Sequence, residues 1–354
     1  MMLPSEQTFD RPRLRAQLAV LARHGIFVGT SSWRYQGWFG QIYTAARYAQ
    51  RGKIATRRFE RQCLAEYAET FSTVCVDAAY YTFPVEQLWQ EHAAQVPDGF
   101  RFAFKVTDAI TVRRYPAIER FRDLAGAVNP EFLNAGLFTE RFLAPLQAIR
   151  AKVGPLIFEF SRFRTADFAQ AADFVAALDA FFGRLPRDWH YGVELRNREW
   201  LGPDYFDCLR RHGVTHVANN WTDMPSVGEQ MSRPELAAAA EDAVVARFLL
   251  KPGRAYQQAV ATFQPYVQTQ EINEEARRSA ADIIKLGLRF QARRGLFLYI
   301  NNRLEGNAPN TIQAILALVE NLIAAEAATV PPLPAPPSEP TTDPGPAQLG
   351  LPLE

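Results

Sequence analysis

Trp189-His-Tyr-Gly-Val-Glu-Leu-Arg-Asn-Arg-Glu-Trp200 is a strand-like run that ends in two charged residues, Glu194 and Arg196. Buried strands are apolar as a rule, because a buried charge is costly unless it is paired or used. The same pattern, a short strand-like run with a polar residue at or near its end, recurs along the chain. A ring of strand ends that carry polar groups is how a barrel enzyme builds its site.

Eight runs rich in β-branched and aromatic residues predict strands at residues 26–30, 73–78, 101–106, 155–160, 189–195, 214–219, 244–250 and 296–301. Segments with helical periodicity separate most of them, at residues 58–70, 85–95, 139–152, 167–182, 204–212, 274–291 and 311–324. Between the sixth and seventh runs the helical signal is short, at residues 234–240. Alternating strands and helices predict an α/β fold with a parallel sheet, and eight units predict closure into a (β/α)8 TIM-type barrel.

The alternative fold is a doubly wound open sheet, which would need a glycine-rich phosphate turn after the first strand. Gly29-Thr-Ser-Ser-Trp33 lacks that spacing, so the barrel is favoured. We therefore predict a helical extension at residues 1–25, a single barrel domain at residues 26–327 and a disordered tail at residues 328–354. The tail is predicted from composition, since residues 331–354 contain nine prolines and no helical pattern.

The composition limits the class of protein. The 354 residues are 48% hydrophobic, which suffices for a large core, and the net charge of +1 excludes a globally basic nucleic-acid binder. Cys63, Cys75 and Cys208 form no CxxC pair, so we predict reduced core cysteines in a cytoplasmic protein. No apolar run approaches the roughly 20 residues that span a bilayer, and the N-terminus lacks a signal-peptide pattern. We expect no membrane association.

Charged residues at the strand ends form the first candidate site. Alternate residues of a barrel strand point inward, so side chains at the ends of several strands should meet at the carboxyl-terminal mouth. The candidate catalytic residues are Asp77, Lys105, Glu159, Glu194, Arg196 and Arg247. Two carboxylates flanked by fixed cations could divide acid and base roles, because each environment sets its own pKa. The alternative is a structural ion network inside the barrel.

Aromatic, hydroxyl and amide residues near the same strand ends form a candidate ligand-binding set. They are Ser31, Trp33, Tyr80, Tyr81, Asn219, Asn301 and Asn302. The long loop after the first strand holds several rings beside arginine, at residues 33–43, and exposed rings of this kind stack on bases or sugars. The alternative is that these rings pack the loop onto the barrel rim. Trp33, nearest the strand end, is the ring that we expect to contact a ligand.

Two basic stretches are predicted on the same face of the barrel. They follow the third and the first strand and contain Arg113, Arg114, Arg120 and Arg122, and Arg47, Arg51, Lys53, Arg57 and Arg58. Such stretches could form a surface that tracks phosphates. The alternative is that they are solvated helix ends.

Metal chemistry is not suggested by the histidines. His24, His92, His190, His212 and His216 form neither HxH nor HExxH, so we predict no histidine-rich metal cluster and no evident cofactor. A Ser–His–Asp triad is also unsupported, because no histidine has a strand-end position opposite Ser31. The sequence leaves open a loosely held Mg²⁺ ion on Asp77 or Glu159.

The end of the tail reads Gln348-Leu-Gly-Leu-Pro-Leu353. This resembles the hexapeptide Gln-Leu-x-Leu-x-Leu by which many bacterial replication and repair proteins bind the sliding clamp. Such a peptide places leucines in a hydrophobic groove, and a disordered tether suits that role. The predicted partner-binding residues are Gln348, Leu349, Leu351 and Leu353. The alternative is a chance match in a tail rich in leucine and proline.

Motifs in matching order resemble the YecE-like family, known as domain of unknown function 72. They are Val28-Gly-Thr-Ser-Ser-Trp33 with Tyr35, Trp38 and Tyr43, Phe71-Ser-Thr-Val74 with Tyr80, Tyr81 and Pro84, Phe104-Lys105 with Ile110 and Thr111, Gly154-Pro-Leu156, Val193-Glu194-Leu-Arg196 with Trp200, and Asn301-Asn302 with Gly306 and Asn310. The match covers about residues 26–325. The resemblance implies a TIM-type barrel.

The chain also departs from the family pattern. Cys75-Val-Asp77 stands where Glu-x-Asn is usual, Thr82 replaces an arginine, Val112 replaces a histidine, Glu159 replaces a glutamine, and Leu250-Lys251 follows Arg247 where the family has His-Gly. The chain is therefore similar to a divergent branch of the family. An activity of the main branch need not transfer to it.

Three functions fit these features. The leading hypothesis is a DNA-associated barrel enzyme that hydrolyses a phosphoester in a nucleic-acid or phosphorylated ligand, with Glu194 or Glu159 as the base and Lys105, Arg196 and Arg247 stabilising the anion. The second is a sugar or sugar-phosphate enzyme that uses paired carboxylates. The third is a non-catalytic module that binds nucleic acid and the clamp.

Overall fold

Eight parallel strands close into the barrel that the sequence predicts. The structure, a computed structural model, describes residues 8–290 and 292–329. The barrel strands are β1 (Ile26–Thr30), β2 (Thr73–Val76), β3 (Arg101–Lys105), β4 (Val153–Phe160), β5 (Tyr191–Leu195), β6 (Thr215–Asn219), β7 (Val244–Phe248) and β8 (Leu296–Ile300). They pair in chain order, and β1 closes the barrel by pairing with β8. The predicted limits of β1 are identical to these, and those of the other seven strands differ by one or two residues.

Helices surround the barrel. Those of eight or more residues are Arg11–Arg23, Thr56–Ala68, Glu86–Ala93, Ala171–Phe182, Pro203–His212, Tyr256–Phe263, Glu274–Arg289, Ala308–Ala317 and Glu320–Thr329. Shorter helical segments are Gln36–Trp38, Ala45–Tyr48, Asp77–Tyr80, Asp108–Thr111, Glu119–Leu124, Ala135–Phe138, Thr139–Leu143, Ala144–Leu146, Gln147–Lys152, Arg198–Trp200, Val227–Met231, Pro234–Ala239 and Asn302–Glu305. A short hairpin lies in the loop after β1, and its two antiparallel strands, Ala49–Gln50 and Lys53–Ile54, have two residues each.

The predicted helix at residues 139–152 is wrong as a single element. A π-helical turn at Thr139–Leu143 gives way to a short α-helical turn and then to a 3-10 segment at Gln147–Lys152. Pro145 lies within this stretch, and a proline inside a helix removes one N–H and crowds the carbonyl four residues earlier. The predicted helix at residues 311–324 is likewise divided, into Ala308–Ala317 and Glu320–Thr329.

The barrel interior is a continuous apolar layer beneath the mouth. It contains Phe27, Cys75, Ala103, Ile157, Val217, Val245, Phe297 and Tyr299. Gly29 lets β1 approach β2 closely, since a Cβ there would lie 2.2 Å from the carbonyl oxygen of Thr73. Because strand side chains alternate with a period of two, the inward positions next above Ala103, Ile157 and Val245 are Lys105, Glu159 and Arg247. The inward-facing side chains therefore change from apolar to charged between one layer of the barrel and the next.

The helix Arg11–Arg23 begins at Asp10, whose Oδ1 accepts a hydrogen bond from the backbone N–H of Arg13 at 2.9 Å. Its buried face includes Leu14, Leu18 and Leu21. Residues 328 and 329, where the predicted disordered tail begins, end the helix Glu320–Thr329. The rest of the predicted tail, with the peptide at residues 348–353, lies outside the described residues. Within the described ranges no single helix is long and apolar enough to cross a membrane, and one bent pair, Ala308–Ala317 with Glu320–Glu326, meets the criteria of length and composition only.

Candidate functional site

Six charged side chains form one network at the carboxyl-terminal mouth of the barrel. All six were predicted as catalytic: Asp77 follows β2, Lys105 ends β3, Glu159 lies in β4, Glu194 and Arg196 lie in and just after β5, and Arg247 lies in β7. Strand parity predicts that these side chains meet at the mouth, and their catalytic role stays a prediction. The three carboxylates and three cations cancel in formal charge, so the network can be buried at a tolerable cost in solvation.

Glu159 is the hub of this network. Its Oε2 lies 2.7 Å from Nζ of Lys105, 2.8 Å from Nη2 of Arg196 and 3.1 Å from Nη1 of Arg247. Burial alone would raise the pKa of Glu159, but the neighbouring charges of Arg196, Lys105 and Arg247 outweigh it and hold the pKa well below its usual range. Glu159 is therefore a fixed anion, unsuited to give or take a proton near neutral pH.

Glu194 is fully buried, and both of its oxygens are occupied. Oε1 accepts hydrogen bonds from Nε and Nη2 of Arg196 at 3.1 and 2.9 Å, and Oε2 accepts one from Nη1 of Arg247 at 2.5 Å. Arg247 also donates from Nη2 to Oδ1 of Asp77 at 2.9 Å. Asp77 has 30% of its side chain exposed, against 2% for Arg247. Asp77 is therefore the carboxylate of the network that solvent and a ligand can reach.

A row of two adjacent rings between two cations extends from Glu159 on one side of the mouth. Nζ of Lys105 lies 3.8 Å from the centre of the Tyr80 ring. The rings of Tyr80 and Tyr81 are 5.3 Å apart, and the guanidinium of Arg120 lies 5.3 Å from the Tyr81 ring. We call these four residues the Tyr81 ladder. Its outer tyrosine, Tyr81, is 59% exposed.

A second row rises from the same hub through Arg196. The guanidinium of Arg196 lies 3.8 Å from the Trp221 ring, Trp221 and Tyr256 are 6.3 Å apart, and the guanidinium of Arg303 lies 4.6 Å from the Tyr256 ring. We call these four residues the Tyr256 ladder. Its top tyrosine is 46% exposed. A cation over an aromatic face is attracted electrostatically to that ring.

Sequence reasoning missed Trp221, Tyr256 and Arg303. Trp221 stands two residues after β6 and Arg303 three residues after β8. Both residues thus lie just beyond a strand end, which is the criterion by which Trp33 was selected. The same criterion applied to every strand would have found both of them. Tyr256 begins a helix eight residues after β7, so nothing in the local pattern marks it.

The expectation of exposed rings in the loop at residues 33–43 is wrong. Trp33, Trp38 and Tyr43 are buried, and Trp38 stacks against Tyr43 and Tyr67 at 6.2 and 6.5 Å. Gly37 lets the loop lie on the rim, since a Cβ there would come 2.0 Å from the carbonyl oxygen of Pro265. Burial of these large rings stabilises the loop. These three rings therefore pack the loop onto the barrel, which is the alternative that the sequence left open.

Trp33 nevertheless lines a cavity beside the charged network. This cavity of about 150 Å³ is also lined by Arg34, Asp77, Phe83 and His92. The ring of Trp33 packs edge-on against His92 at 5.8 Å, and the guanidinium of Arg34 lies 4.9 Å from the Trp33 ring. Trp33 is thus placed against a space that opens next to Asp77.

The predicted asparagines hold the loops that carry the Tyr256 ladder. Oδ1 of Asn219 accepts a hydrogen bond from the N–H of Trp221 at 3.2 Å, and Oδ1 of Asn301 accepts one from the N–H of Arg303 at 2.9 Å. Oδ1 of Asn302 accepts one from the N–H of Ala308 at 2.8 Å. All three asparagines are buried. They fix the course of the chain after β6 and β8.

Some buried polar atoms near the mouth have no hydrogen-bond partner among the described residues. They are the hydroxyl of Ser31, the side-chain amide nitrogens of Asn301 and Asn302, and Nε of Arg247 and Arg303. Buried polar groups are almost always satisfied, by protein or by water. Ser31 and Asn301 directly follow β1 and β8, and Arg247 lies in β7. These three strands are neighbours, so one sector of the mouth is rich in unused donors.

The predicted basic surface is partly neutralised, because three of its nine residues, Arg47, Arg114 and Arg120, form ion pairs. Arg114 lies 3.3 Å from Asp167 and donates to the carbonyl of Gly126 at 2.7 Å, and Arg47 pairs with Glu69 at 2.6 Å. Arg120 is paired with Asp108. Arg113 lies over the rings of Phe132 and Phe168 at 5.5 and 5.4 Å. These contacts reduce the charge that the two stretches can offer to phosphates.

The possible metal ligands divide between the mouth and the outer helices. Three cations surround Glu159 and would repel Mg²⁺, so of the two carboxylates considered for that ion only Asp77 stays a candidate. Elsewhere in the described ranges, Asp179, Cys208 and His212 bring their ligand atoms within 4.8 Å of one another. Nε2 of His212 lies 2.9 Å from Oδ1 of Asp179, and this contact joins two helices.

Comparison with known proteins identifies relatives of the whole barrel. A family model described as "Protein of unknown function DUF72" matches residues 27–337. The fold is similar to solved DUF72 family proteins from Enterococcus faecalis V583 (TM-score 0.54, 19% identity, 84% of this chain and 98% of that one) and Thermotoga maritima MSB8 (TM-score 0.53, 18% identity, 83% and 98%). No curated protein matches the chain. The extent of the family match, with the resemblance of the motifs, shows that the chain belongs to the DUF72 family.

Proposed function

We propose that this protein is a DNA-associated barrel enzyme that binds a phosphate-bearing nucleic-acid ligand at the mouth and hydrolyses a phosphoester bond. The observation that carries the proposal is the pair of ladders, in each of which two adjacent aromatic rings lie between a cation paired with Glu159 and an outer arginine. Aromatic faces stack on bases, and cations beside them meet the phosphates.

Arg303 is the cation that we assign to phosphate binding. Lys105, Arg196 and Arg247 are each held by carboxylates of the network. Arg303 forms no ion pair with a carboxylate in the described ranges, and its Nε has no hydrogen-bond partner there. A guanidinium with unused donors suits bidentate contact with phosphate oxygens.

Asp77 is the residue that we assign as general base. Its Oδ1 is bound by Arg247, and its exposed fraction of 30% leaves room for a water molecule on the other oxygen. In the proposed reaction Asp77 takes a proton from water, the water oxygen attacks phosphorus, and the ester P–O bond breaks. The leaving oxygen takes a proton from solvent, so a phosphodiester and water yield a phosphomonoester and an alcohol. A Mg²⁺ ion on Asp77 would assist the same attack.

The other two functions have less support at this site. Sugar hydrolysis by paired carboxylates needs one of them protonated, whereas Glu159 is held ionised by three cations and Glu194 is enclosed by two arginines. A non-catalytic module would share the ladders but would not need Asp77 to be open to water. Turnover therefore separates binding alone from catalysis.

We also propose that the tail tethers the barrel to the bacterial sliding clamp. The support is the order of residues in the peptide at 348–353 and its place at the end of a proline-rich segment. Association with a clamp would bring the mouth to DNA without a strongly basic surface.

The test is an assay of phosphodiester hydrolysis with end-labelled DNA oligonucleotides and with bis(4-nitrophenyl) phosphate, with and without added Mg²⁺. We expect Asp77→Asn to lose at least a hundredfold in turnover while keeping oligonucleotide affinity. Asp223→Asn is the matched control, because Asp223 is an exposed acid after β6. Failure of the wild-type protein both to bind oligonucleotide at low salt and to hydrolyse either substrate would overturn the proposal.

A further inference from the structure

We infer that the phosphate attacked by water binds in the cavity beside Asp77, with Arg34 as its counter-ion. The inference rests on the proposed function and deepens it. Arg303, which we assign to phosphate binding, is not among the residues that line this cavity, so it contacts a second phosphate of the same ligand. The preferred substrate is therefore a chain with at least two phosphates, an oligonucleotide rather than a small phosphoester.

The cavity of about 150 Å³ places a cation and the proposed general base around one space. Arg34 and Asp77 both line it, with Trp33 between them in the same lining. Within the described ranges the ion-pair partner of Asp77 is Arg247, and Arg34 and Asp77 form no ion pair with each other. A cation and a carboxylate that face one space without contact leave room for a ligand between them.

The position of Asp77 limits where the attacked phosphate can lie. A water molecule held by Asp77 must come to about 3–3.5 Å from the phosphorus atom before the two react. The phosphate therefore has to enter the space that Asp77 lines. Its oxygens then meet the guanidinium of Arg34, which lines the same space. Guanidinium groups bind phosphate oxygens by charge-assisted hydrogen bonds.

Arg34 has unused capacity for such bonds. It is an exposed residue, and among the described residues it forms no ion pair with a carboxylate. Its Nη2 lies 3.1 Å from Nε2 of His92, and its guanidinium forms no other hydrogen bond in the described part of the chain. The three cations of the charged network are, by contrast, each held by carboxylates.

Trp33 supports the guanidinium from one side. The guanidinium of Arg34 lies 4.9 Å from the centre of the buried Trp33 ring. The carbonyl oxygen of Trp33 accepts a hydrogen bond from the hydroxyl of Tyr43, which is also buried, and this fixes the backbone next to Arg34. Because Arg34 is already held, little side-chain freedom is lost when a phosphate binds.

His92 is a positioning residue that acts through Arg34. Its Nδ1 lies 2.6 Å from the carbonyl oxygen of Leu88, and a carbonyl only accepts, so Nδ1 carries the proton. Nε2 is then free to accept the hydrogen bond from Arg34. His92 is buried and lies on the helix Glu86–Ala93. The side chain of Arg34 is thus tied to a helix that follows β2, the strand before Asp77.

The test measures kcat/KM in the two assays above, since bis(4-nitrophenyl) phosphate has one phosphate and an oligonucleotide has many. We expect Arg34→Gln to lose about a hundredfold on both substrates, because a donor to the reacting phosphate is removed. Arg303→Gln should lose about tenfold more on the oligonucleotide than on the small ester. Arg23→Gln is the matched control, because Arg23 is an exposed arginine just before β1, at the opposite end of that strand from Arg34.

Two substitutions test the role of His92. Leucine cannot accept a hydrogen bond from Arg34, whereas glutamine can do so through its Oε1 atom. We expect His92→Gln to keep about tenfold more of the wild-type kcat/KM than His92→Leu. Equal losses in the two variants would contradict the positioning role.

Melting curves of every variant establish that each is folded, and Arg34→Lys, which keeps the charge but loses the planar fork, replaces Arg34→Gln if that variant unfolds. Full turnover in the folded Arg34 variant, or a loss on the oligonucleotide alone, would overturn the inference and leave the proposed function standing. Hydrolysis of neither substrate by the wild-type protein would overturn both the inference and the catalytic part of the proposed function.

Discussion

The guanidinium of Arg247 on β7 lies 3.1 Å from the carboxylate of Glu159 on β4. These strands are not neighbours in the barrel, so the contact spans its interior. Both side chains are buried, and each has further partners of opposite charge. The network is therefore part of the barrel's uppermost layer as well as the floor of the mouth. Variants in it will change stability and ligand binding together.

Glu194→Gln should destabilise the protein. The amide cannot neutralise Arg196 and Arg247, which would stay buried next to it, and breaking a buried ion pair on one side costs about 3–5 kcal/mol. We expect that decrease in the free energy of unfolding, measured by urea denaturation followed by circular dichroism. Glu199→Gln is the control, since Glu199 is an exposed acid after the same strand, 3.7 Å from Arg162. A change below about 1 kcal/mol in Glu194→Gln would mean that the network relaxes easily.

Stability should fall in mild acid because of His216. Its Nδ1 lies 2.9 Å from the hydroxyl of Tyr205 and its Nε2 3.2 Å from Oε1 of Gln230. Burial lowers the pKa of His216 to about 4, although the hydrogen bond with Gln230 opposes the shift. A histidine in the unfolded chain titrates at about 6.5. The free energy of unfolding is therefore highest above that pH and decreases as the pH falls towards 4, because the unfolded chain binds a proton that the folded protein excludes.

The measurement is the free energy of unfolding of the wild type and His216→Gln between pH 7 and pH 4. The wild type should lose about 3 kcal/mol more than the variant across this range, since each pKa unit corresponds to about 1.4 kcal/mol. His24→Gln, at a partly exposed position, should follow the wild type. Parallel curves for the wild type and His216→Gln would contradict the prediction.

Arg303→Gln should weaken binding of a single-stranded oligonucleotide and reduce its dependence on salt. Removing one phosphate contact lowers the slope of log affinity against log salt by about 0.7 for a single strand. The measurement is fluorescence anisotropy from about 50 to 200 mM salt. Arg122→Gln, at an exposed position after β3, should keep the wild-type slope. An unchanged slope in Arg303→Gln would place the phosphate elsewhere.

The isolated peptide of residues 348–353 should bind the bacterial sliding clamp. Burying two or three leucines contributes about 1.5–3 kcal/mol each, but much of this is lost in ordering a flexible chain, which leaves roughly micromolar affinity. The test is a titration of the clamp with this peptide and with a version in which Gln348, Leu349 and Leu351 are alanine. No binding of the native peptide at about 100 µM would remove the tether from the proposal.

The sequence predicts the barrel and the network because both depend on local periodicity. A period of two, counted from the strand interior, places Lys105, Glu159 and Arg247 on the inner face without knowledge of tertiary structure. The ladders depend on the course of loops and could not be predicted in the same way. Trp38 is buried because its loop lies against Pro265, more than two hundred residues later. Tyr256 is exposed at the mouth because of where its helix begins.

The balance of charge at the mouth has an evolutionary consequence. Replacing one carboxylate or one cation leaves an opposite charge buried and unmatched, so a lineage that changes a single position passes through a less stable protein. Divergent descendants should therefore exchange these positions in compensating pairs, such as a guanidinium together with the acid that faces it.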